Sequence, residues 1–139
     1  MKKFDVIVVG AGTAGSMTAK TAAEEGLDVC LIDRKKRVDI GEKVCGDAVG
    51  KHHFDELGLA YPKGDELRNR IEGVKIFSPD LETVFTVKSE RVYGFILNRR
   101  LFGQRLLNEA VDAGATLFEQ TIATEPILKG GFVTGITAK

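Results

Sequence analysis

A buried β-strand, a glycine-rich turn and the start of a helix are encoded in residues 5–15, DVIVVGAGTAG. The apolar run Val6–Val9 does not alternate with polar residues, which is typical of a central parallel strand covered on both faces. Helical composition follows from Ala14 to Glu25, and Gly26 is the predicted stop. Residues 28–33, DVCLID, indicate a second buried strand. Together these segments predict a βαβ unit with a right-handed crossover.

The three glycines of the turn, Gly10, Gly12 and Gly15, have the spacing G-x-G-x-x-G, and Asp33 ends the second strand. Gly10 permits the tight turn, Gly12 lets a pyrophosphate approach the backbone, and Gly15 lets the helix pack closely. The helix N-terminus presents unpaired N–H groups to the phosphates. Asp33 would accept hydrogen bonds from ribose hydroxyls and repel a 2′-phosphate, which disfavours NADP. The motif predicts a dinucleotide site but does not decide between FAD and NAD. The alternative is that the glycines only form a tight turn and that Asp33 only caps the strand.

Composition and charge restrict the class of protein. The chain has 139 residues, of which 43% are hydrophobic, and 20 Lys and Arg balance 20 Asp and Glu. This composition predicts one soluble globular domain over residues 1–139, in a cytoplasmic protein. Zero net charge argues against nucleic acid as the main partner. Two cysteines, Cys30 and Cys45, are too few for a disulfide scaffold, and no apolar run approaches the ~20 residues of a membrane helix.

Beyond the βαβ unit the pattern predicts a mixture of loops, helices and strands. In chain order we expect a loop at 34–47, a short helix at 48–58, strands at 71–77 and 82–88, a helix capped by Asn98 and Gly114, a strand at 115–119, and strands at 122–128 and 132–137 joined by a turn at 129–131. The predicted fold class is therefore α/β, Rossmann-type, with additional β-strands. A doubly wound sheet normally continues with further strands, so we expect this chain to be an incomplete, N-terminal portion.

A second motif lies in the predicted loop, at residues 41–49, GEKVCGDAV. Together with residues 5–10 it resembles the geranylgeranyl reductase family of flavoproteins, and most closely the archaeal members that saturate the isoprenoid chains of membrane lipids. The resemblance continues at residues 54–58, 61–64, 97–99, Phe102 and 113–115, and so spans almost the whole chain. The Cys-Gly pair is more specific than the glycine motif, because the wider group related to p-hydroxybenzoate hydroxylase generally lacks it.

The resemblance implies a p-hydroxybenzoate hydroxylase-like fold that binds FAD noncovalently. The implied cofactor-binding residues are Gly10, Gly12, Ala14, Gly15, Asp33, Arg34, Cys45, Gly46, Ala48, Arg99 and Ala123. An arginine at a helix start such as Arg99 adds charge to an anion site, although it also suits an exposed helix end. The basic run 34–37 fits either a solvated loop or a phosphate clamp.

Cys45 is the candidate catalytic residue. Alkene reduction requires a hydride from reduced flavin N5 and a proton from an acid, and a thiol beside Lys43 would supply that proton or shape the substrate tunnel. The alternative is a packing residue whose backbone touches the flavin. We expect no metal at Cys45, His52 and His53, because adjacent histidines on a helix diverge.

The resemblance implies an FAD-dependent oxidoreductase that saturates C=C bonds of geranylgeranyl chains in phospholipid biosynthesis. This chain would supply the ADP-binding half of the FAD site and would be inactive alone. The implied partners are an isoprenoid lipid or prenyl diphosphate and a ferredoxin-like or reduced nicotinamide electron donor, with peripheral membrane contact following from a lipid substrate. One alternative is a stand-alone, non-catalytic dinucleotide-binding fragment. Another is a flavin monooxygenase-type relative, which the Cys-Gly pair makes less favoured because that group generally lacks it.

Overall fold

The computed structural model describes residues 2–139, in which ten strands and three α-helices are present. In chain order they are β1 (Val6–Val9), α1 (Thr13–Glu24), β2 (Val29–Ile32), β3 (Ala48–Gly50), α2 (Lys51–Glu56), β4 (Leu67–Ile71), β5 (Val74–Phe77), β6 (Val84–Val87), β7 (Gly94–Leu97), α3 (Arg99–Asp112), β8 (Thr116–Phe118), β9 (Ala123–Lys129) and β10 (Phe132–Ala138). The chain divides into two compact units. Unit 1 contains the residues up to Glu42 and from Gly103 onward, and unit 2 contains Lys43–Phe102.

Unit 1 is built on a parallel sheet with the strand order β1-β2-β8. All four residues of β2 are buried, because this strand lies between two neighbours and its side chains pack against the helices. The small residues Ala19 and Ala23 of α1 belong to the same core as Val29 and Leu31 of β2 and Leu107 of α3. The βαβ unit predicted from the sequence is therefore confirmed, as is the α/β, Rossmann-type fold class.

Several predicted boundaries of unit 1 are also confirmed. Gly26 and Gly114 follow the ends of α1 and α3 with positive φ angles of 81° and 114°. Antiparallel β9 and β10 form the hairpin predicted around residues 129–131. These features depend on residues adjacent in sequence, which is why the pattern indicates them.

Unit 2 contains an antiparallel sheet with the order β3-β7-β4 and a separate hairpin of β5 and β6. Phe54 on α2 packs edge-on against Phe95 of β7, with ring centroids 5.3 Å apart. Phe102 lies 5.9 Å from Phe54 and completes an aromatic core for this unit. At its start, α3 is capped as predicted, because Asn98 Oδ1 accepts a hydrogen bond from the Leu101 N–H at 3.3 Å.

Two predicted elements of unit 2 are wrong in their extent. The helix predicted at 48–58 occupies only Lys51–Glu56, because residues 48–50 pair with β7 as β3. The strand predicted at 71–77 is two strands, since Ile71 pairs with Gly94 of β7 whereas Val74 pairs with Val87 of β6. In both cases pairing with a segment distant in sequence decides the local structure.

Candidate functional site

The glycine turn between β1 and α1 has the backbone that its sequence predicts. Gly10 has a φ of +100°, and its N–H donates to the Ile32 carbonyl at 2.7 Å. A Cβ on Gly15 would lie 1.8 Å from the Gly10 carbonyl oxygen, so only glycine permits this approach of helix and turn. A Cβ on Gly12 would meet no atom within 4 Å. Gly12 is exposed, and its open side leaves room for a ligand.

The Asp33 carboxylate lies at this turn. Its Oδ2 atom accepts a hydrogen bond from the Ala11 N–H at 2.8 Å, and its Oδ1 atom accepts one from the Lys35 N–H at 2.8 Å. A carboxylate has about four acceptor positions, so these two bonds leave further lone pairs for a ligand hydroxyl. Asp33 therefore joins the end of β2 to the glycine turn, a contact that sequence reasoning missed.

The N-terminus of α1 presents unpaired donors beside the turn. The Ser16 N–H donates to the Gly12 carbonyl at 2.8 Å, so the N–H groups of residues 13–15 precede the first intrahelical hydrogen bond. No side chain caps this end, and its first turn has no acidic residue. Ala14 is exposed within this turn. The arrangement favours an anion, because free N–H groups and the helix dipole both attract negative charge.

The other candidate cofactor-binding residues of unit 1, Arg34 and Ala123, lie on segments next to Asp33. Arg34 comes directly after it and is exposed. The Thr121 N–H donates to the Asp33 carbonyl at 2.9 Å, and Ala123, half-buried, opens β9 two residues later. The structure thus brings the glycine turn and Asp33 together, and sets the segment leading to Ala123 beside Asp33.

Gln104 on α3 holds part of the loop that follows β2. Its Nε2 atom donates to the Arg37 carbonyl at 2.6 Å and to the Ile40 carbonyl at 2.7 Å. A Cβ on Gly103 would lie 2.4 Å from the Gly41 Cα, so the loop and helix approach closely. Sequence reasoning missed this anchor, because no local pattern links a glutamine to carbonyls more than 60 residues earlier.

In unit 2, Cys45 is exposed and its thiol is free. A hydrogen bond from the Asp47 backbone lowers the pKa of Cys45 below its usual value, and the positive charges of Arg99 and Lys43 act in the same direction. Gly46 is exposed, and Ala48 pairs with Ile96 at the start of β3. The structure therefore places the Cys45 thiol within the electrostatic influence of Arg99.

Arg99 is half-buried at the first position of α3. Its guanidinium carbon lies 5.9 Å from the centroid of the Phe102 ring. The Leu97 N–H donates to the Asp47 carbonyl at 3.0 Å and so ties the end of the Cys45 loop to the strand that precedes α3. This bond explains how two segments about 50 residues apart in sequence come to share one region of unit 2.

The expectation that the adjacent histidines of α2 diverge is wrong, because the rings of His52 and His53 lie against one another with centroids 3.9 Å apart. Residues 2–139 contain no group of three or more His, Cys, Asp or Glu side chains placed to hold a metal ion. Across that same range, no helix combines the length and apolar character needed to cross a membrane.

Comparison with known sequences identifies related proteins. The family described as glucose inhibited division protein A matches residues 5–60. The digeranylgeranylglycerophospholipid reductase of Sulfolobus acidocaldarius is 49% identical over 133 residues, which cover 96% of this chain and 29% of that protein. The protein of the same name from Methanocella arvoryzae is 44% identical over 141 residues, covering 99% of this chain and 35% of that protein. The chain thus spans about a third of the length of these relatives.

Comparison with solved structures identifies a reductase-like protein and FAD-dependent halogenases as structural neighbours. A geranylgeranyl bacteriochlorophyll reductase-like protein from Thermoplasma acidophilum has a TM-score of 0.85 and 30% identity, covering 97% of this chain and 34% of that one. The myxobacterial chondrochloren halogenase, a variant of FAD-dependent halogenases, has a TM-score of 0.74 over 98% of this chain and 33% of its own. At 19% identity the halogenase shows the fold alone. The resemblance to geranylgeranyl reductases predicted from the sequence is confirmed.

Proposed function

We propose that this chain forms the ADP-binding part of an FAD site in a reductase that saturates geranylgeranyl chains of membrane lipids. The observation that carries the proposal is the bond from the Ala11 N–H to Asp33 Oδ2, which fixes a carboxylate beside an open glycine turn. Gly10, Gly12, Ala14 and Gly15 would surround the pyrophosphate, and Asp33 would accept from the ribose. Arg34 follows Asp33 directly in the chain, and Ala123 lies two residues after Thr121, whose N–H donates to the Asp33 carbonyl. The resemblance to geranylgeranyl reductases, which the family's sequence motifs associate with FAD, and the fold shared with FAD-dependent halogenases support the choice of FAD over NAD.

In unit 2, the proposed flavin-contacting residues are Cys45, Gly46, Ala48 and Arg99. When bound and reduced by the electron donor, FAD would supply the hydride for alkene reduction. Cys45 Sγ holds a proton that it would release to the substrate carbon, and its lowered pKa makes that release easier. Arg99 stabilises the thiolate that remains, because its positive charge acts on the same thiol.

The substrate of the whole protein would be an isoprenoid lipid or prenyl diphosphate, as the names of the relatives suggest. A ferredoxin-like protein or a reduced nicotinamide would return electrons to the flavin. Such a substrate would bring a cytoplasmic enzyme into contact with the membrane surface. These partners are proposed for the whole protein, of which the chain spans about a third by comparison with its relatives.

Titration of the 139-residue chain with FAD tests the cofactor site. We expect Asp33→Ala to weaken FAD binding about tenfold or more, because it removes a charged acceptor and releases the glycine turn. Asp112→Ala, at the exposed end of α3, is the matched control and should leave the affinity unchanged. Equal affinity of wild type and Asp33→Ala for FAD would contradict the ADP-site assignment, and tighter binding of NAD than of FAD would contradict the cofactor.

A further inference from the structure

Unit 2 contains a solvent-open groove of about 460 Å³ beside the ends of β4 and β7. Its lining includes three cationic side chains, those of Lys51, Arg70 and Lys88, and one carboxylate, that of Glu72. The volume falls within the usual range for small-molecule sites. None of the lining residues belongs to the proposed FAD site, so the groove is a separate feature.

Two of these cations are not neutralised by an ion pair. Lys51 Nζ lies 2.7 Å from Asp55 Oδ2, whereas Arg70 and Lys88 form no ion pair with any of residues 2–139. The Arg70 guanidinium carbon lies over the Phe95 ring, 5.8 Å from its centroid. Stacking of this kind occupies the face of the guanidinium and leaves the N–H groups at its edge available.

Lys88 reaches the groove because Gly73 has no side chain. A Cβ at Gly73 would lie 3.0 Å from Lys88 Cγ and 2.9 Å from the Val87 carbonyl oxygen. The lysine stem therefore packs against the backbone of Gly73, the residue that follows Glu72 in the chain. The Tyr93 side chain, which is 41% exposed, also lines the groove. Its hydroxyl is a further hydrogen-bond donor besides the Arg70 and Lys88 side chains.

We propose that this groove binds a phosphate or diphosphate ester. Arg70 and Lys88 contact the phosphate oxygens, because two unpaired cations match a group that carries nearly two negative charges. The forked guanidinium suits two oxygens of one phosphate. Ile71, which is half-buried at the end of β4, contacts the apolar part of the ester, and Glu72 weakens binding by repulsion. The assignment rests on these residues alone and does not depend on FAD binding.

Titration of the ¹⁵N-labelled 139-residue chain with inorganic pyrophosphate, followed by amide NMR, tests the proposal. We expect the Ile71, Tyr93 and Gly94 resonances to move. Arg70→Gln and Lys88→Gln should each weaken binding about tenfold, since each removes a charge-assisted contact. Glu72→Gln should tighten binding severalfold by removing the repulsive carboxylate. The amides of residues 10–15 report the proposed FAD site separately, so failure at one site is distinguishable from failure at the other.

Arg68→Gln and Lys75→Gln are the matched controls, because both residues are exposed and lie outside the groove on β4 and β5. Equal weakening by a control and by its groove counterpart would show diffuse charge attraction and overturn the proposal. Resonances of the groove that stay fixed at millimolar pyrophosphate would also overturn it. A second arm with soluble short-chain phosphatidic acid identifies the source of the phosphate. Tighter binding than that of pyrophosphate assigns a lipid headgroup, and weaker binding assigns a free diphosphate.

Discussion

Asp33 and Cys45 both obtain their chemical character from backbone N–H groups. The Asp33 carboxylate accepts hydrogen bonds from the N–H groups of Ala11 and Lys35. A hydrogen bond from the Asp47 backbone is the largest contribution that favours the thiolate form of Cys45. Backbone donors are fixed by the fold and lose no side-chain freedom when they bind. Asp33 is therefore held at its position before any ligand arrives.

The lowered pKa of Cys45 predicts its reactivity. Because the thiolate is the nucleophile, alkylation of Cys45 by iodoacetamide should reach half its maximal rate below the pH typical of a free cysteine. Arg99→Gln should move that midpoint upward, since it removes a positive charge that favours the thiolate. The measurement is the alkylation rate against pH, followed by mass spectrometry.

Cys30 serves as the internal control in the same chain. It is buried in β2, and that burial raises the pKa of its thiol, so its alkylation should be slow and its midpoint high. A common midpoint for the two cysteines, or no response to Arg99→Gln, would contradict the electrostatic account of Cys45.

At the scale of elements, the turn between β1 and α1 contains one glycine that close packing requires, Gly15, and one with an open side, Gly12. Gly15→Ala should destabilise the chain by about 3 kcal/mol, because its methyl group would collide with the Gly10 carbonyl. Gly12→Ala meets open space and should cost only about 0.5 kcal/mol. Urea unfolding of the two variants measures this difference.

The same pair of variants tests the proposed contact between Gly12 and the FAD pyrophosphate. FAD affinity should fall in Gly12→Ala although the chain remains folded, since the added methyl group occupies the space proposed for the pyrophosphate. Unchanged FAD affinity in Gly12→Ala would show that no ligand approaches the backbone there.

At the scale of the whole molecule, charges balance to zero, and individual ion pairs rather than net charge set the response to pH. Lys20 Nζ on α1 lies 2.9 Å from Glu109 Oε2 on α3, and Arg105 NH1 lies 3.1 Å from Glu109 Oε1. Burial opposes ionisation of Glu109, but the hydrogen bonds and charges of Lys20 and Arg105 prevail and lower its pKa. The ion pair between Lys20 and Glu109 joins α1 to α3 across 89 residues of the chain.

Glu109→Gln should therefore reduce the free energy of unfolding at pH 7 by about 0.5–1 kcal/mol. A carboxyl whose pKa is lowered by folding stabilises the chain above its unfolded pKa, about 4.3, and loses that effect as pH falls through the folded pKa. The difference between wild type and variant should accordingly vanish in acid. Urea unfolding at several pH values measures it.

Glu24→Gln is the matched control, because Glu24 Oε1 lies 3.9 Å from the same lysine and its side chain is 54% exposed. Its effect should be smaller at every pH. A Glu109→Gln effect that is constant between pH 3 and pH 7 would show that packing, and not charge, is lost.

Local pattern was sufficient to predict the βαβ unit, the cap at Asn98, the β9–β10 hairpin and the grouping of Gly10, Gly12, Gly15 and Asp33. Each depends on residue types a few positions apart, or on the fixed geometry of a short crossover between parallel strands. Asp33 was predicted as a ribose acceptor, and that role stays a prediction.

The tertiary structure alone decided the pairing of β3 and β4 with β7 and the interruption of the predicted strand at residues 72–73. It also decided the hydrogen bonds from Gln104 to the loop after β2 and from the Ala11 N–H to Asp33. It also brought Cys45 under the charge of Arg99 and opened the groove beside Arg70 and Lys88. All of these contacts join segments far apart in the chain. Their partners are selected by burial and by the need to satisfy every backbone hydrogen bond, which no local pattern of residues records.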